Sequence, residues 1–379
     1  MVRDDFVVDA RPVVQDEHLG TSAALETTIQ RASEQIANRL AGRCAALLLV
    51  GAAARGEVTL GPDGALLSDL DFLVVLPQRN LLGAIVEERR CREQLCGLES
   101  KLAHAAPDGV SIGFANAAPR YWSVATPLMW ELRTCARVLH GRAEVREWPA
   151  IRYADQIPQW EGIRLVANRL CELFGLLGIL YHNTAARPLD RSVRELRYAC
   201  VKLMLACSEA QLIDRGVYQA TYRDRWQMHQ HVAMRFGAAQ NEVIDAAYCV
   251  KVNSDAHRLA ADTWALVSDA LGLAITTFAW FGLQTPAALA ARVLHERPAA
   301  PGMATDIAFF VVQHVHGTHV PLRRAIAAVY ARAFSVAQRL ADAGPLQIDQ
   351  ALLGECRQIA RSYKLAPQMV SVIGTGARA

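Results

Sequence analysis

Two aspartates separated by one residue, Asp69 and Asp71, lie within the otherwise apolar run SDLDFLVVL. Side chains alternate between the two faces of a strand, so both carboxylates project to one side, about 7 Å apart along the chain, with Leu70 and Phe72 on the other side. Two carboxylates on one face repel each other unless a cation lies between them. Mg²⁺ takes oxygen ligands and keeps coordination positions for phosphate oxygens. The spacing therefore predicts a site for a divalent cation and a phosphorylated ligand.

A second predicted strand, at residues 45–50, comes shortly before the aspartates and ends in small residues. Gly51 and Ala52 follow it and let a backbone approach a polyphosphate closely. Arg55 adds a side chain for a charge-assisted contact with phosphate. The turn signal GPDG at 61–64 lies between two apolar runs, so we expect residues 57–76 to form a hairpin or a longer strand-to-strand connection.

This order of a strand, a small-residue turn and a Ser-Asp-Leu-Asp strand resembles the nucleotidyltransferase superfamily, which has the DNA polymerase β-like fold. The matching residues are Gly51, Ala52, the ARG at 54–56 and SDLD at 68–71. The segment ELRTCARVLHG at 131–141 is similar to the segment that closes this fold. The resemblance covers roughly residues 25–145.

The resemblance implies a Mg²⁺-dependent enzyme that transfers a nucleoside monophosphate from an NTP and releases pyrophosphate. The expected NTP is ATP, and the group transferred is then AMP. Asp69 and Asp71 would be catalytic metal ligands. The nucleotide-binding roles in the first half would fall on Gly51, Ala52, Arg55 and Ser68. The layout is similar to that of small-molecule nucleotidyltransferases that adenylylate aminoglycosides, so the implied acceptor is a hydroxyl of a small molecule.

The sequence departs from the family pattern at two points. Ala52 stands where the family usually has Ser or a second Gly. The third catalytic carboxylate normally lies on a later strand, but the strand GVSIGFAN has Ser111 and Gly113 on one face. Asp108, just before that strand, is the nearest substitute, and Glu131 is an alternative. A third alternative is a protein that binds nucleotide without catalysis.

Alternating patterns and helical periods in the first 150 residues predict a small mixed sheet with helices. Expected helices are 25–43, 81–104 and the segment around LMWELRTC, and expected strands include VSIGFA and ARVLHG. Beyond the proline-marked stretch at 149–158 the pattern becomes helical throughout. The helices expected there are 161–182, 190–214, 222–238, 239–275, 285–296, 303–315, 321–343 and 347–363. The fold class is thus α+β: a nucleotidyltransferase-like domain at 1–150 and an all-helical domain at 151–379, with a possible subdivision at 297–302.

The helix predicted at 190–214 carries a basic and aromatic side. Arg191, Arg194, Tyr198 and Lys202 fall within an arc of about 80°, at 3.6 residues per turn. By analogy with helical domains of the superfamily, Lys202 would contact the triphosphate and Tyr198 would stack on the base. A solvated basic face is the alternative.

Two further polar segments have open interpretations. Tyr222, Arg223 and Arg225 in YQATYRDRW either border an acceptor pocket or cap a loop. The histidines of HVHGTH, at positions 314, 316 and 319, have a spacing compatible with a transition metal. The simpler interpretation is that these histidines lie at the ends of helices and bind no metal.

The composition agrees with a folded protein and sets limits on its partners. Of 379 residues 52% are hydrophobic and 20% charged, and the net charge of +3 requires neither a nucleic-acid nor a membrane partner. The nine cysteines form no CxxC pair, and the first residues do not resemble a secretory signal. We therefore expect a cytoplasmic enzyme that binds a nucleoside triphosphate and a small acceptor. An enzyme that modifies tRNA or a protein is the rival class, and the motifs leave the NTP, the acceptor and the oligomeric state open.

Overall fold

The computed structural model describes residues 23–40, 42–58, 69–77, 81–102, 110–117, 122–180, 189–232, 236–253, 259, 262–295, 322–342 and 350–372. Within these ranges the protein is mixed α+β, with a small four-stranded sheet and a larger set of helices. Some sequence predictions lie outside the described residues: Ser68, Asp108, the turn at 61–64, the linker at 297–302, the helix at 303–315 and the three histidines of HVHGTH.

The sheet contains β1 (Ala46–Val50), β2 (Leu70–Leu76), β3 (Val110–Asn116) and β4 (Arg137–Gly141), in the order β3-β2-β1-β4. Strand β1 is antiparallel to both β2 and β4, whereas β2 and β3 are parallel. The register sets Val50 opposite Asp71. The end of β1 therefore meets the start of β2, and the residue after β1, Gly51, lies beside the aspartates.

The helices of the first half are α1 (Ala23–Leu40), α2 (Gly51–Ala54), α3 (Leu81–Leu95), α4 (Leu98–Leu102) and α5 (Pro127–Cys135). Short 3₁₀ turns follow at Ala143–Glu147 and Ala154–Gln156. The single helix expected at 81–104 is wrong, because it is interrupted at Gly97, whose φ of 73° lies in the left-handed region. Such a residue ends a helix readily when it is glycine.

The two faces of the sheet pack against different parts of the chain. Leu70 and Phe72 belong to the core that α1, α3 and α4 form on one face. Leu73 and Val75 belong to the core of the other face, which includes Tyr218 from the helical half. Because side chains alternate along a strand, Asp71 shares the face of Leu73 and Val75. The carboxylate is thereby directed toward the helical half.

The helical half contains α6 (Gln159–Leu180), α7 (Leu189–Asp214), α8 (Tyr222–His231), α9 (Ala238–Asn253), α10 (Thr263–Trp280), α11 (Pro286–His295), α12 (Leu322–Asp342) and α13 (Gln350–Val372). The expected helix at 222–238 ends earlier, at His231. The expected helix at 239–275 is two helices, because Asp262 caps a new one: its carboxylate accepts from the backbone N–H of Trp264 and Ala265, at 3.3 and 2.9 Å. Among the described residues, no helix has both the length and the apolarity needed to cross a membrane.

Helices α6 and α7 are in close contact, and a glycine makes the contact possible. A Cβ atom on Gly162 would lie 2.9 Å from the Cα atom of Ala210. Real Cβ atoms do not approach backbone this closely, so position 162 has no room for a side chain. The two helices are thereby held in a fixed relation, which matters because both line the cavity described below.

We predict opposite effects from one substitution at two helical glycines. Gly162→Ala overpacks the α6–α7 contact and lowers the free energy of unfolding by about 1–3 kcal/mol. Gly272→Ala, in α10, has no atom within 4 Å of the added Cβ. It should raise the free energy of unfolding by roughly 0.5–1 kcal/mol through helix propensity. Urea unfolding of the two variants checks this, and a stabilising Gly162→Ala would contradict the close contact.

Candidate functional site

A cavity of about 370 Å³ lies between the sheet and the helical half. Its sheet side is formed by Gly51, Ala52, Asp69 and Asp71. Helices α5, α6, α7, α8 and α9 supply most of the rest of its wall, and Arg55 and Tyr218 line it from the segments that follow α2 and α7. The structure thus brings residues far apart in sequence to one concave surface.

The two aspartates differ in environment. Asp69 is exposed just before β2, whereas Asp71, on the strand, is partly buried. Burial, and then the nearby carboxyl of Asp69, raise the pKa of Asp71 to about 6, although Arg55, Lys202 and Lys251 act in the opposite direction. Removal of Asp71 from water thus disfavours its charged form. A cation bound between the two carboxylates would favour the charged form of Asp71.

Position 51 requires a glycine because the Asp71 side chain approaches its backbone closely. Its φ of 67° lies in the left-handed region, and a Cβ atom would lie 2.2 Å from Oδ2 of Asp71. Ala52 is buried, and its carbonyl accepts a hydrogen bond from the backbone N–H of Glu57 at 2.9 Å. The expected phosphate-binding turn therefore lies directly against Asp71, within the short helix α2.

Two lysines of the helical half border the cavity near the aspartates. Lys202 and Tyr198 project into the cavity from one face of α7, as their spacing along the helix predicts. Lys251, on α9, donates from Nζ to the hydroxyl of Tyr198 at 2.8 Å. The Tyr198 ring also contacts both ammonium groups, with its centroid 4.8 Å from Nζ of Lys202 and 5.5 Å from Nζ of Lys251. These cation–π contacts fix the ring between the lysines.

Lys251 is only 7% exposed. Burial lowers its pKa, while the neighbouring Tyr222 and the carboxyl groups of Glu57 and Asp69 act to raise it. Within the described part of the chain, neither Lys202 nor Lys251 forms an ion pair with a carboxylate. Both ammonium groups therefore face the cavity with charge that an anionic ligand can neutralise.

Arg55, the expected phosphate contact, takes part in a buried ion network. Its side chain is 7% exposed, with Nε 3.2 Å from Oε2 of Glu57 and Nη1 2.6 Å from Oε2 of Glu131. Although burial opposes it, Arg55 and Arg225 lower the pKa of Glu131. The other oxygen of Glu131 accepts from the Tyr218 hydroxyl at 2.7 Å and from Arg225. Glu131, the alternative third carboxylate, thus has both oxygens engaged within the protein.

The network continues into the helical half through Arg225, which is 2% exposed at its side chain. Its Nη1 lies 2.6 Å from Oε1 of Glu209, and its Nε donates to the carbonyl of Gln219 at 2.6 Å. Glu57, from the sheet half, accepts the first backbone N–H groups of α8, from Tyr222 at 2.9 Å and Arg223 at 2.8 Å. A carboxylate at that position satisfies unpaired helix donors. The segment YQATYRDRW therefore contributes to this junction between the halves, and its Tyr222 and Arg225 also line the cavity.

The fit of Mg²⁺ to the site follows from the donor set. Strand β3, parallel to β2, sets Ser111 opposite Asp71, so its register supplies no third acid there. Among the described residues no group of three or more His, Cys, Asp or Glu side chains is arranged to hold a metal. Mg²⁺ needs only one or two carboxylates when water and substrate phosphates complete its shell. Asp69 and Asp71 fit a single ion bound in that manner.

Most of the sequence-predicted site residues that the structure describes line the cavity: Gly51, Ala52, Arg55, Asp69, Asp71, Glu131, Tyr198 and Lys202. Arg194 and Arg223 do not. Sequence reasoning missed Lys251, Arg164 and Arg169, which line it as well. The period of α6 did predict that Arg164 and Arg169 lie on a helix, but nothing in the period identified the neighbour that the helix faces.

Comparison of the chain with models of protein families, with curated proteins and with solved structures gives no match. The interpretation of the cavity therefore depends on its own residues and their chemistry.

We predict that the buried network is a strong stability determinant. Arg225→Met leaves Glu131 and Glu209 without their shared partner and should lower the free energy of unfolding by about 3–5 kcal/mol. Arg339→Met removes an exposed pair, Arg339–Glu355 at 2.7 Å, and should cost less than about 1 kcal/mol. Denaturant unfolding measures both, and equal losses would contradict the assignment of the network.

We also predict that Asp71→Asn stabilises the metal-free protein. The pKa of Asp71 is raised from 3.8 to about 6, so its charged form is disfavoured by the fold. This penalty is absent where the carboxyl is protonated in both states, grows as pH rises from about 4 to 6, and is complete above that. The variant should therefore gain on the order of 1–3 kcal/mol at about pH 7.5 and little at about pH 4.

Thermal unfolding across this pH range, in the presence of a chelator, tests the effect of Asp71→Asn. The exposed Asp342 supplies the matched control, since Asp342→Asn removes a carboxylate outside the cavity. A gain for Asp71→Asn that is the same at both ends of the pH range would show that burial of the charge is not its cause.

Proposed function

We propose that the protein is a Mg²⁺-dependent nucleotidyltransferase. It transfers a nucleoside monophosphate from an NTP to a hydroxyl of a small molecule and releases pyrophosphate; the proposed NTP is ATP, and the group transferred is then AMP. One observation carries the proposal: a carboxylate pair, Asp69 and Asp71, and two lysines that have no ion-pair partner among the described residues, Lys202 and Lys251, line one cavity. Two carboxylates and two ammonium groups at one concave site suit a metal-bound polyphosphate, because the carboxylates can bind the metal ion and the ammonium groups can bind the phosphate oxygens.

The chain's residues would divide the work as follows. Asp69 and Asp71 hold the metal, and the backbone at Gly51 approaches the phosphates, where a side chain would displace the Asp71 carboxylate. When bound, Mg²⁺ neutralises phosphate oxygens and lowers the pKa of an acceptor hydroxyl. Lys202 and Lys251 neutralise further charge on the triphosphate and on the leaving pyrophosphate.

The buried position of Lys251 suits this role. Burial lowers the pKa of its ammonium group and thus disfavours the charged form. An anion that binds beside the group favours the charged form, so burial and ligand act in opposite directions. Its hydrogen bond to the Tyr198 hydroxyl orients the group before a ligand arrives. Preorganised charge of this kind costs little reorganisation during the reaction.

The proposal includes a division into a nucleotidyltransferase-like domain at 1–150 and a helical domain at 151–379, with the nucleotide bound between them. Two observations support it. The largest apolar core is built entirely from α6 to α13 and the residues between them, whereas one face of the sheet has a core drawn only from the first half. The buried ion network lies at the junction of the two.

A catalytically silent nucleotide-binding protein is a second candidate, favoured by one observation. The position opposite Asp71 on β3 is Ser111, and both oxygens of Glu131 are engaged with other residues. Both candidates predict binding of a Mg²⁺–NTP complex, and release of pyrophosphate in the presence of an acceptor separates them.

We predict that one NTP binds only with Mg²⁺ and only when the aspartates are present. Each of the four NTPs is titrated calorimetrically into the wild type, with and without Mg²⁺, and into the double variant Asp69→Ala, Asp71→Ala. The double variant should weaken binding at least tenfold, or about 1.4 kcal/mol, because the metal loses its protein ligands. Lys202→Gln should weaken binding with Mg²⁺ present while leaving the need for Mg²⁺ unchanged.

An exposed acid pair elsewhere controls for loss of negative charge: Glu88→Ala, Glu93→Ala on α3 should leave NTP binding unaltered. Binding that persists in the aspartate variant, or that does not require Mg²⁺, would remove the basis of the proposal.

A further inference from the structure

Helix α6 presents a row of side chains to the cavity that the nucleotide chemistry does not use. Glu161, Arg164, Leu165, Asn168 and Arg169 all line it. Their spacing of three, four, seven and eight residues from the first defines one face of a helix. We call these residues the α6 row. Because α7 packs directly against α6 at Gly162, the row lies in a fixed position beside the lysine-bearing helix.

The arginines of the α6 row differ from those of the buried network in exposure. The side chains of Arg164 and Arg169 are 43% and 31% exposed, whereas those of Arg55 and Arg225 are 7% and 2% exposed. The network arginines are enclosed by their partners. Arg164 and Arg169 line the same cavity but remain accessible to a ligand.

The accessible polar groups of the α6 row are hydrogen-bond donors. Nε and Nη2 of Arg164 both contact Oε2 of Glu161, which leaves Nη1 without a partner among the described residues. Arg169 uses Nη1 for Oε2 of Glu172, at 2.6 Å, and retains its other N–H groups. Oδ1 of Asn168 accepts from the Tyr330 hydroxyl, so its amide N–H₂ remains for another acceptor. Guanidinium and amide donors together suit the oxygens of a carboxylate or phosphate.

Apolar side chains lie next to these donors. Leu165 belongs to the α6 row, and Val201 and Leu205 line the cavity from α7. A ligand held there would have an anionic group toward the arginines and an apolar part against α7. Such a combination of an apolar wall with a few placed polar groups is typical of small-molecule sites.

We propose that the α6 row binds an anionic group, carboxylate or phosphate, of the acceptor molecule. This inference rests on the proposed function, since it identifies the acceptor end of the same cavity. It also narrows the implied acceptor class. A cationic amino group, such as those of an aminoglycoside, would be opposed by like charge where it lies against the accessible guanidinium groups of Arg164 and Arg169.

The triphosphate and the acceptor anion are separated by the arrangement of the cations. Lys202 and Lys251 meet at the Tyr198 side chain and line the cavity together with Asp69 and Asp71, whereas the α6 row belongs to another helix. A triphosphate held at Asp69 and Asp71 would therefore engage these lysines. The α6 row then remains for a second anionic group.

The test uses inorganic phosphate and benzoate as probes of the 379-residue chain, each titrated calorimetrically without Mg²⁺ or nucleotide. Arg164→Gln, Arg169→Gln should weaken binding of the favoured probe at least tenfold, and by more than Lys202→Gln does, because the probe has its partners on the α6 row. Arg194→Gln is the matched control, because Arg194 is an exposed α7 arginine outside the cavity. Preference for phosphate or benzoate identifies which anionic group the α6 row accepts.

A second variant keeps the test valid if the double glutamine variant is unstable. Arg164→Lys, Arg169→Lys keeps the charge but loses the planar fork of donors, so intermediate affinity is expected. The proposal is overturned if neither probe binds, if all variants bind alike, or if Lys202→Gln abolishes binding while the double arginine variant retains it. The last result would assign the anion to the triphosphate end.

A transfer assay with Mg²⁺ and the NTP that binds connects the site to the acceptor. Pyrophosphate release is measured with matched pairs, glucose and glucose 6-phosphate, and 4-hydroxybenzamide and 4-hydroxybenzoate, and with kanamycin. Faster release with an anionic member, lost in the double arginine variant, supports the proposal; faster release with kanamycin overturns it. Failure of the proposed function has a different signature: Mg²⁺–NTP binding is absent, while arginine-dependent binding of phosphate or benzoate persists.

Discussion

The buried ion network between the sheet and the helices is the constraint on which the site depends. Arg55 and Glu131 from the first half meet Arg225 and Glu209 from the second, and these charges have been taken out of water. Removal from water costs several kcal/mol for each ion, and only complete pairing offsets it. Because the pairing is complete only when the halves are in contact, the network favours one arrangement of the two. Glu57 reinforces this arrangement by accepting the first N–H groups of α8. The cavity beside the network consequently has preorganised walls.

The cavity itself contains groups whose charged forms are disfavoured. The pKa of Asp71 is raised and that of Lys251 is lowered, in each case chiefly by burial. Gly51 holds a left-handed conformation to make room for the Asp71 carboxylate. Features of this kind reduce stability, and they persist where the surrounding structure imposes them and function requires them. The burial of the apolar cores provides the stability that offsets this cost. A metal-bound nucleotide would relieve both electrostatic penalties at once, which joins the stability of the fold to the proposed activity.

Much of this arrangement was predictable from local patterns, and the rest depends on contacts distant in sequence. Strand alternation correctly predicted that Leu70 and Phe72 lie opposite the aspartates, and the helical period located α6 and α7 within a few residues. The same period merged α9 and α10, because a capping aspartate, Asp262, was not recognised inside an apolar pattern. The network could not be foreseen: the partners of Arg225 include Glu209 and Glu131, 16 and 94 residues away. Lys251 was missed for the same reason, since a lysine on a helix is usually solvated and packing of α9 against α7 and α8 buries this one.

The most direct test of the central claim is a crystal structure of the protein with Mg²⁺ and the α,β-methylene analogue of the NTP that binds. The account predicts electron density for a metal ion ligated by Asp69 and Asp71, with the triphosphate between that ion and the ammonium groups of Lys202 and Lys251. A nucleotide bound elsewhere, or bound in this cavity without contact between the metal and the two aspartates, would contradict the account.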